Sequence, residues 1–193
     1  MQSDAKVTLV AIAAALISPA VMAESDLIIG GEIMEMEVKL GYAQGNDVFT
    51  YEGTRFRIGM ESDAGFGVGL EYTPAVEDEA ANVVGTPFRL EVGDTLGVYM
   101  TAGSWVYFRL GWSSWETTYT RLDTGVSNGA RSNALDYGVG FRTPIAPGLT
   151  LFGEYVQRNT NVNYNSFFVK VGTDHADLSY DSELYTLGVY FTF

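Results

Sequence analysis

The chain has 193 residues, no cysteine and a formal net charge of −13. It therefore builds no disulfide framework and presents no broad basic face to nucleic acid or anionic lipid. Its 22 Gly, 12 Tyr and 11 Phe beside 5 Pro read as a strand-rich, aromatic-rich protein, and a mean hydropathy of +0.06 is too low for a bundle of spanning helices.

Residues 1–23 read as a cleavable secretory signal peptide. Lys6 precedes an apolar run from Val7 to Val21, and Val21-Met22-Ala23 supplies small residues before a cut at Glu24. The run is shorter than the roughly 20 residues a spanning helix needs, and Pro19 interrupts it. The mature chain is then one domain, 24–193.

From there the pattern has period 2 and repeats as hairpins. The first strand, about Glu32 to Gln44, sets Met34, Met36, Val38, Leu40 and Tyr42 against Glu35, Glu37 and Lys39. The second, about Phe49 to Ser62, sets Thr54, Phe56, Ile58 and Met60 against Arg55, Arg57 and Gly59. A turn at Asp63-Ala64-Gly65 leads to the third, with Phe66, Val68, Leu70 and Tyr72 against Gly67, Gly69 and Glu71, and then to a polar loop from Pro74 to Gly85. The fourth, about Phe88 to Thr101, opposes Leu90, Val92, Leu96 and Val98 to Arg89, Glu91, Gly97 and Tyr99. Asp94 breaks its pattern, through a bulge at Gly93 or because that end stands above a membrane. The fifth, Trp105 to Glu116, places Arg109 opposite Phe108 and Leu110, and a second long loop runs from Thr117 to Ser132. In the sixth, Leu135, Tyr137, Val139 and Phe141 oppose Asp136 and Arg142. The seventh, Leu149 to Arg158, turns Glu154 inward, and a third long loop covers Asn159 to Asp181. The eighth ends the chain with Tyr185, Leu187, Val189, Phe191 and Phe193 on one face.

The strand count is even, and short turns alternate with long connections, as in an up-and-down transmembrane barrel. Charge placement fixes which face is inside. Glu35, Glu37, Lys39, Arg55, Arg57, Glu71, Arg89, Glu91, Arg109, Asp136, Arg142 and Glu154 share the face that carries most strand glycines. Glycine suits the crowded interior of a narrow barrel, and an Arg turned to lipid at mid-depth costs roughly 2–4 kcal/mol. The expected fold is an all-β, eight-stranded antiparallel barrel with a polar lumen. Glu37, Lys39, Arg55, Arg57, Glu71, Glu91, Arg109, Asp136, Arg142 and Glu154 are its expected charge network, because buried charges must pair, with a place at the rims in water as the alternative for Glu35, Arg89 and Arg142.

The last strand resembles the C-terminal assembly signal of bacterial outer-membrane barrels, which alternates apolar residues and ends in Phe. Tyr185, Leu187, Val189, Phe191 and Phe193 carry that resemblance. With Gly41-Tyr42-Ala43-Gln44, Tyr137-Gly138-Val139-Gly140-Phe141 and Gly188-Val189-Tyr190-Phe191-Thr192-Phe193, the mature chain looks like a small outer-membrane barrel of the OmpA/OmpX type. The resemblance implies a Gram-negative outer-membrane location, a lipopolysaccharide environment, contact with the barrel-assembly machinery, and a role in envelope integrity or surface interaction.

Chemistry-bearing motifs are sparse. His175 is the sole histidine, with Ser179 nearby in a predicted loop, and Asp174, Asp177 and Asp181 do not have the spacing of a calcium loop. No catalytic residue, metal site or cofactor is expected. Trp105, Trp112, Trp115, Tyr42, Tyr72 and Tyr155 are expected in interfacial girdles. The favoured function is a non-enzymatic envelope protein that meets ligands through its loops. A narrow pore for small solutes is the alternative, followed by a lipid-A-modifying hydrolase.

Overall fold

The computed structural model describes residues 25–42, 45–83, 86–160, 170–171, 174–175 and 179–193. The expected signal peptide lies outside the described residues. In chain order the strands are β1 (Ser25–Tyr42), β2 (Gly45–Ser62), β3 (Phe66–Thr73), β4 (Val76–Val83), β5 (Thr86–Val92), β6 (Thr95–Gly103), β7 (Val106–Arg121), β8 (Ser127–Ala146), β9 (Leu149–Thr160), β10 (Lys170–Val171), β11 (Asp174–His175) and β12 (Ser179–Thr192).

Eight of these close a barrel. β1 pairs β2, β2 pairs β3, β3 pairs β6, β6 pairs β7, β7 pairs β8, β8 pairs β9, β9 pairs β12, and β12 returns to β1, every pair antiparallel. Closure leaves no unpaired backbone around the girth, the condition for a sheet to sit in hydrocarbon. Both described chain ends and the tight turns at Asp63–Gly65, Gly103–Ser104 and Pro147–Gly148 lie at one end. Gly65 takes φ +79 there, and its amide is bonded to the Ser62 carbonyl at 2.8 Å. That left-handed backbone explains the glycine in a turn this short.

The other end is built from strands where the sequence reads as loops. β1 and β2 pair without interruption from Ser25↔Ser62 to Tyr42↔Gly45. The polar stretch 117–132 continues β7 and β8 in register out to Thr120↔Ser127. The loop expected from Pro74 to Gly85 is largely β4, which hairpins onto β5, and β5 pairs the upper part of β7. The single fourth strand expected from Phe88 to Thr101 is thus two strands. Val92 and Thr95 both point inward, and the odd spacing between them strands Asp94 on the surface, where it accepts a hydrogen bond from the Ala75 amide at 2.8 Å.

A belt of exposed apolar side chains circles the end with the short turns: Ile33, Phe56, Leu70, Leu96, Phe108, Phe141, Leu187 and Phe191 all face out, Phe108 at 73 % and Leu96 at 62 % exposure. The opposite parity carries Glu32, Arg55, Arg57, Glu71, Arg109, Asp136 and Glu154, all buried. A soluble barrel has the reverse arrangement; this one suits a hydrocarbon exterior.

Above the belt the polarity inverts. Met34, Met36, Val38, Phe49, Tyr51, Val76, Leu90, Val92, Trp115, Ala134, Val156 and Leu184 form one buried apolar cluster inside the barrel mouth. The β4–β5 hairpin, which continues the wall between β2 and β7, contributes Val76, Leu90 and Val92 to it from that wall.

Candidate functional site: the charged lumen

The lumen is filled in layers. Nearest the short turns, Arg142 bonds Oε2 of Glu61 at 2.5 Å, donates to the Ser104 carbonyl at 2.6 Å, and also donates to the carbonyls of Gly65 and Gly103. One guanidinium thereby ties the β2–β3 and β6–β7 turns to the wall. Its carbon lies 4.9 Å from the ring centre of Tyr107. Below it opens a cavity of about 290 Å³ lined by Asp26, Glu61, Asp63, Arg142 and Tyr190 among others.

The next layer closes the bore. Arg55 donates from Nε to Oε1 of Glu32 at 2.6 Å and from Nη2 to Oε2 of Glu32 at 3.1 Å, and reaches Oε2 of Glu154 at 3.2 Å. Arg57 grips Glu154 with Nη1 and Nη2, both at 3.0 Å, and Glu32 at 2.6 Å. Arg109 donates to Glu71 at 2.6 Å and to Glu154 at 3.4 Å, while the Tyr107 hydroxyl donates to Glu154 at 2.7 Å. Three guanidiniums and three carboxylates thus balance in charge. The two-pronged Arg55–Glu32 and Arg57–Glu154 contacts are the planar fork geometry that makes such bonds strong. Arg57 also lies 4.2 Å from the Phe152 ring centre and Arg109 4.9 Å from that of Tyr99, so aromatic faces cover what carboxylates do not. Glycines let these groups in: a Cβ at Gly97 would fall 2.7 Å from a Glu71 oxygen, and one at Gly140 2.4 Å from the Tyr107 ring.

A third layer pairs Arg158 with Asp136, Nε to Oδ1 at 3.1 Å and Nη2 to Oδ2 at 3.3 Å. Ser113 donates to the same carboxylate at 3.1 Å, and Arg158 stacks 4.9 Å from the Trp115 ring centre. Above it sits the apolar cluster of the mouth.

Of the residues expected in the lumen, Arg55, Arg57, Glu71, Arg109 and Glu154 lie together in the middle layer, Asp136 in the third and Arg142 in the first. Glu37, Lys39 and Glu91 do not line the lumen. β1 has the opposite phase from the one its methionines suggest: Met34, Met36 and Val38 point in, Glu35, Glu37 and Lys39 point out. β5 is inverted likewise, with Leu90 and Val92 in and Arg89 and Glu91 out. The physical reason is height. These segments stand above the belt, where the exterior is water and the interior is the apolar core. On that outer surface Lys39 is paired with Glu183, which also accepts the Tyr185 hydroxyl at 3.0 Å. Those two hydrogen bonds, Lys39 first, hold the Glu183 carboxyl below the ordinary glutamate range.

Glu32 and Arg158 belong to the lumen although sequence reasoning did not place them there. Each was legible: Arg158 lies four residues from Glu154 on one strand, and Glu32 has the parity opposite to Glu35 and Glu37. Trp115 is buried under Arg158 rather than standing in a girdle. The side chains of Tyr42, Asp174, His175 and Asp181, and residue Asp177, fall outside what the structure describes.

No protein-family model matches the chain, and no curated protein sequence does. Solved structures do. Ail, the attachment invasion locus protein of Yersinia pestis, superposes with a TM-score of 0.52 at 16 % identity over 88 % of this chain and 99 % of that one. The fold is that of an outer-membrane β-barrel. Ail in complex with the heparin analogue sucrose octasulfate gives a TM-score of 0.53 at 14 % identity, again over 88 % and 99 % of the two chains. Neisserial surface protein A aligns at 14 % identity over 86 % and 97 %, with a TM-score of 0.49. At such identities the likeness concerns the barrel alone.

Proposed function

We propose that this chain is a non-enzymatic outer-membrane barrel that does not conduct, and that works as a rigid platform presenting its extended outer hairpins at the cell surface. One observation carries the reading: the bore is occupied across its width by the Arg55–Arg57–Arg109 and Glu32–Glu71–Glu154 layer, in which Arg55 is 0 % and Glu71 3 % exposed. An ion crossing that layer would have to separate charge pairs in a medium with little water, at a cost of several kcal/mol per ion. The buried apolar cluster inside the mouth is a second block in series.

The hairpins support a surface role. Above the belt β8 over 127–133 pairs only β7, so its other edge presents backbone that no described strand covers. Such edges accept an added strand. Ail has been crystallised with a heparin analogue. The outer β12–β1–β2 flank of this chain carries Glu35, Glu37, Glu52 and Glu183 with Lys39, in a chain of net charge −13, which disfavours a polyanionic partner there. Lipopolysaccharide around the belt, and the assembly machinery at the Tyr185–Phe193 strand, complete the expected partners.

Conductance across a planar bilayer tests the reading. The wild type should give no discrete current steps, and Glu154→Gln, which breaks the charge balance, should at most introduce rare ones. Steady conductance by the wild type that changes with Arg55 or Arg109 substitutions would establish the narrow-pore alternative. For hydrolysis, lipid A from cells expressing the wild type and the His175→Ala variant should have identical mass spectra, equal to those of cells lacking the protein.

A further inference from the structure

The short-turn end of the lumen is acidic. The cavity of about 290 Å³ there is walled by the carboxylates of Asp26, Glu61 and Asp63 and by the Trp105 side chain. Among the described residues Arg142 is the one cation on that wall. Its three guanidinium nitrogens are already committed, Nη1 to Glu61, Nε to the Ser104 carbonyl and Nη2 to those of Gly65 and Gly103. Three carboxylates against one guanidinium leave the wall two negative charges in excess. The chain enters the barrel on the rim of this cavity. The first rungs of the β1–β2 ladder are Ser25↔Ser62 and Asp26↔Glu61, and Asp63 follows in the turn beside them.

We propose that this cavity seats the α-ammonium group that export processing creates on Glu24, so that removal of the signal peptide locks the start of β1 to the β2–β3 turn. The lock rests on cleavage before Glu24, as the sequence reads, and on the outer-membrane placement argued above. Hydrolysis of the Ala23–Glu24 amide by the export peptidase consumes one water and leaves a carboxylate on Ala23 and an ammonium on Glu24. An uncleaved chain has a neutral amide at that point, so the positive charge exists only in the processed protein. Three features select this occupant. The first is reach: Glu24 is joined to Ser25, one strand residue spans about 3.4 Å, and Ser25 lies across from Ser62, the neighbour of Asp63. The second is chemistry. Among the described residues no three carboxylates converge closely enough to hold a metal ion. An ammonium needs only one carboxylate at hydrogen-bond distance, gains from the others at longer range, and is suited by the face of an aromatic ring such as Trp105. The third is supply. The processed chain has only two other primary amines, Lys39 and Lys170, and Lys39 is paired with Glu183 at the far end of β1.

The measurement is the titration of that amine. The full chain is expressed with export in a Gram-negative host and purified from its membranes in mild detergent, and the intact mass shows whether it starts at Glu24. Its amines are converted to ¹³C-dimethylamines, whose NMR shifts report protonation. The terminal amine should titrate about one pH unit higher in the folded barrel than in the same chain unfolded in urea, a tenfold change in its proton affinity. Sodium chloride at high concentration should shrink that difference, as for an ion pair open to water. Asp26→Asn and Asp63→Asn should each lower the folded midpoint, and the double variant should bring it to the unfolded value. Asp123→Asn, at the opposite end of the molecule, should leave it where wild type has it. Equal midpoints in folded and unfolded wild type overturn the proposal, and that comparison needs no variant to fold. So does a double variant that titrates as wild type does. A mass that begins at Met1 would refute the cleavage and with it the occupant. Cell fractionation that finds the barrel elsewhere than the outer membrane would refute the placement, while the titration would still decide whether the cavity holds the amine.

Discussion

Glu154 is the residue on which the middle layer depends. Its two oxygens serve Arg55, Arg57, Arg109 and Tyr107 at once. Truncating it leaves three buried guanidiniums against two carboxylates, and breaking a buried pair from one side costs about 3–5 kcal/mol. Glu154→Leu should therefore lower the urea unfolding free energy of the vesicle-folded protein by that amount. The exposed Arg121–Asp123 pair has the same chemistry, with a shortest contact of 2.6 Å, but stands in water at the β7–β8 tip. Asp123→Ala should change stability by no more than about 0.5 kcal/mol. If both variants unfold alike, burial is not what gives the lumen network its strength. The members of that network are readable in sequence wherever a charge sits amid spanning apolar residues, as Arg55 and Arg57 do between Thr54, Phe56 and Ile58.

At the scale of the strand, what misleads is the assumption that one rule holds along its whole length. Within the belt, charge inside and apolar residues outside is correct for β2, β3, β7, β8 and β9, and β6 and β12 keep the same phase with Thr95, Tyr99 and Thr101, and Thr186 and Tyr190, inside. β1 crosses out of the belt near Ile33. Below that point Glu32 points in and Ile33 out; above it Glu35 and Glu37 point out and Met36 and Val38 in. The backbone parity never changes, yet the chemistry on each face reverses because the medium does. A run that alternates Met and Glu is equally regular in either phase, so only the conflict between Glu32 and Glu35 reveals the crossing. The chain has no native cysteine, which makes the phase measurable. Glu35→Cys and Glu37→Cys should react with a water-soluble maleimide in intact vesicles, and Met36→Cys and Val38→Cys should be protected. The reverse pattern would restore the phase suggested by the methionines. The same flank makes a prediction about pH. Glu183 has its folded pKa lowered, chiefly by Lys39, so the pair contributes stability above the unfolded pKa of about 4.3 and loses it as pH falls through the lower folded value. The Glu183 carboxyl resonance should accordingly titrate below 4.3 by NMR, and Lys39→Met should move its midpoint upward.

The whole molecule is two proteins of opposite polarity sharing one sheet. The belt half depends on hydrocarbon outside and ion pairs inside. The outer half is organised as a water-soluble β-domain, with Leu90 and Val92 from the β4–β5 hairpin packed on Phe49, Tyr51 and Trp115. The two halves should respond separately to damage. Leu90, 1 % exposed, lies in the outer cluster far along β7 and β8 from the Arg109↔Gly138 level. Leu90→Ala removes buried methyl groups and leaves a cavity, a change that costs about 2–5 kcal/mol in a packed core. Because β5 pairs only with β4 and the upper part of β7, that loss should appear as local opening. Amide exchange at Leu90, Val92 and Thr118 should accelerate, while exchange at Arg109, Gly138 and Thr186, held between barrel strands in the belt, should remain at the wild-type rate. Uniform acceleration along the whole sheet would mean that the outer core and the ionic plug unfold as one unit, and the division into two media would then describe composition without describing stability.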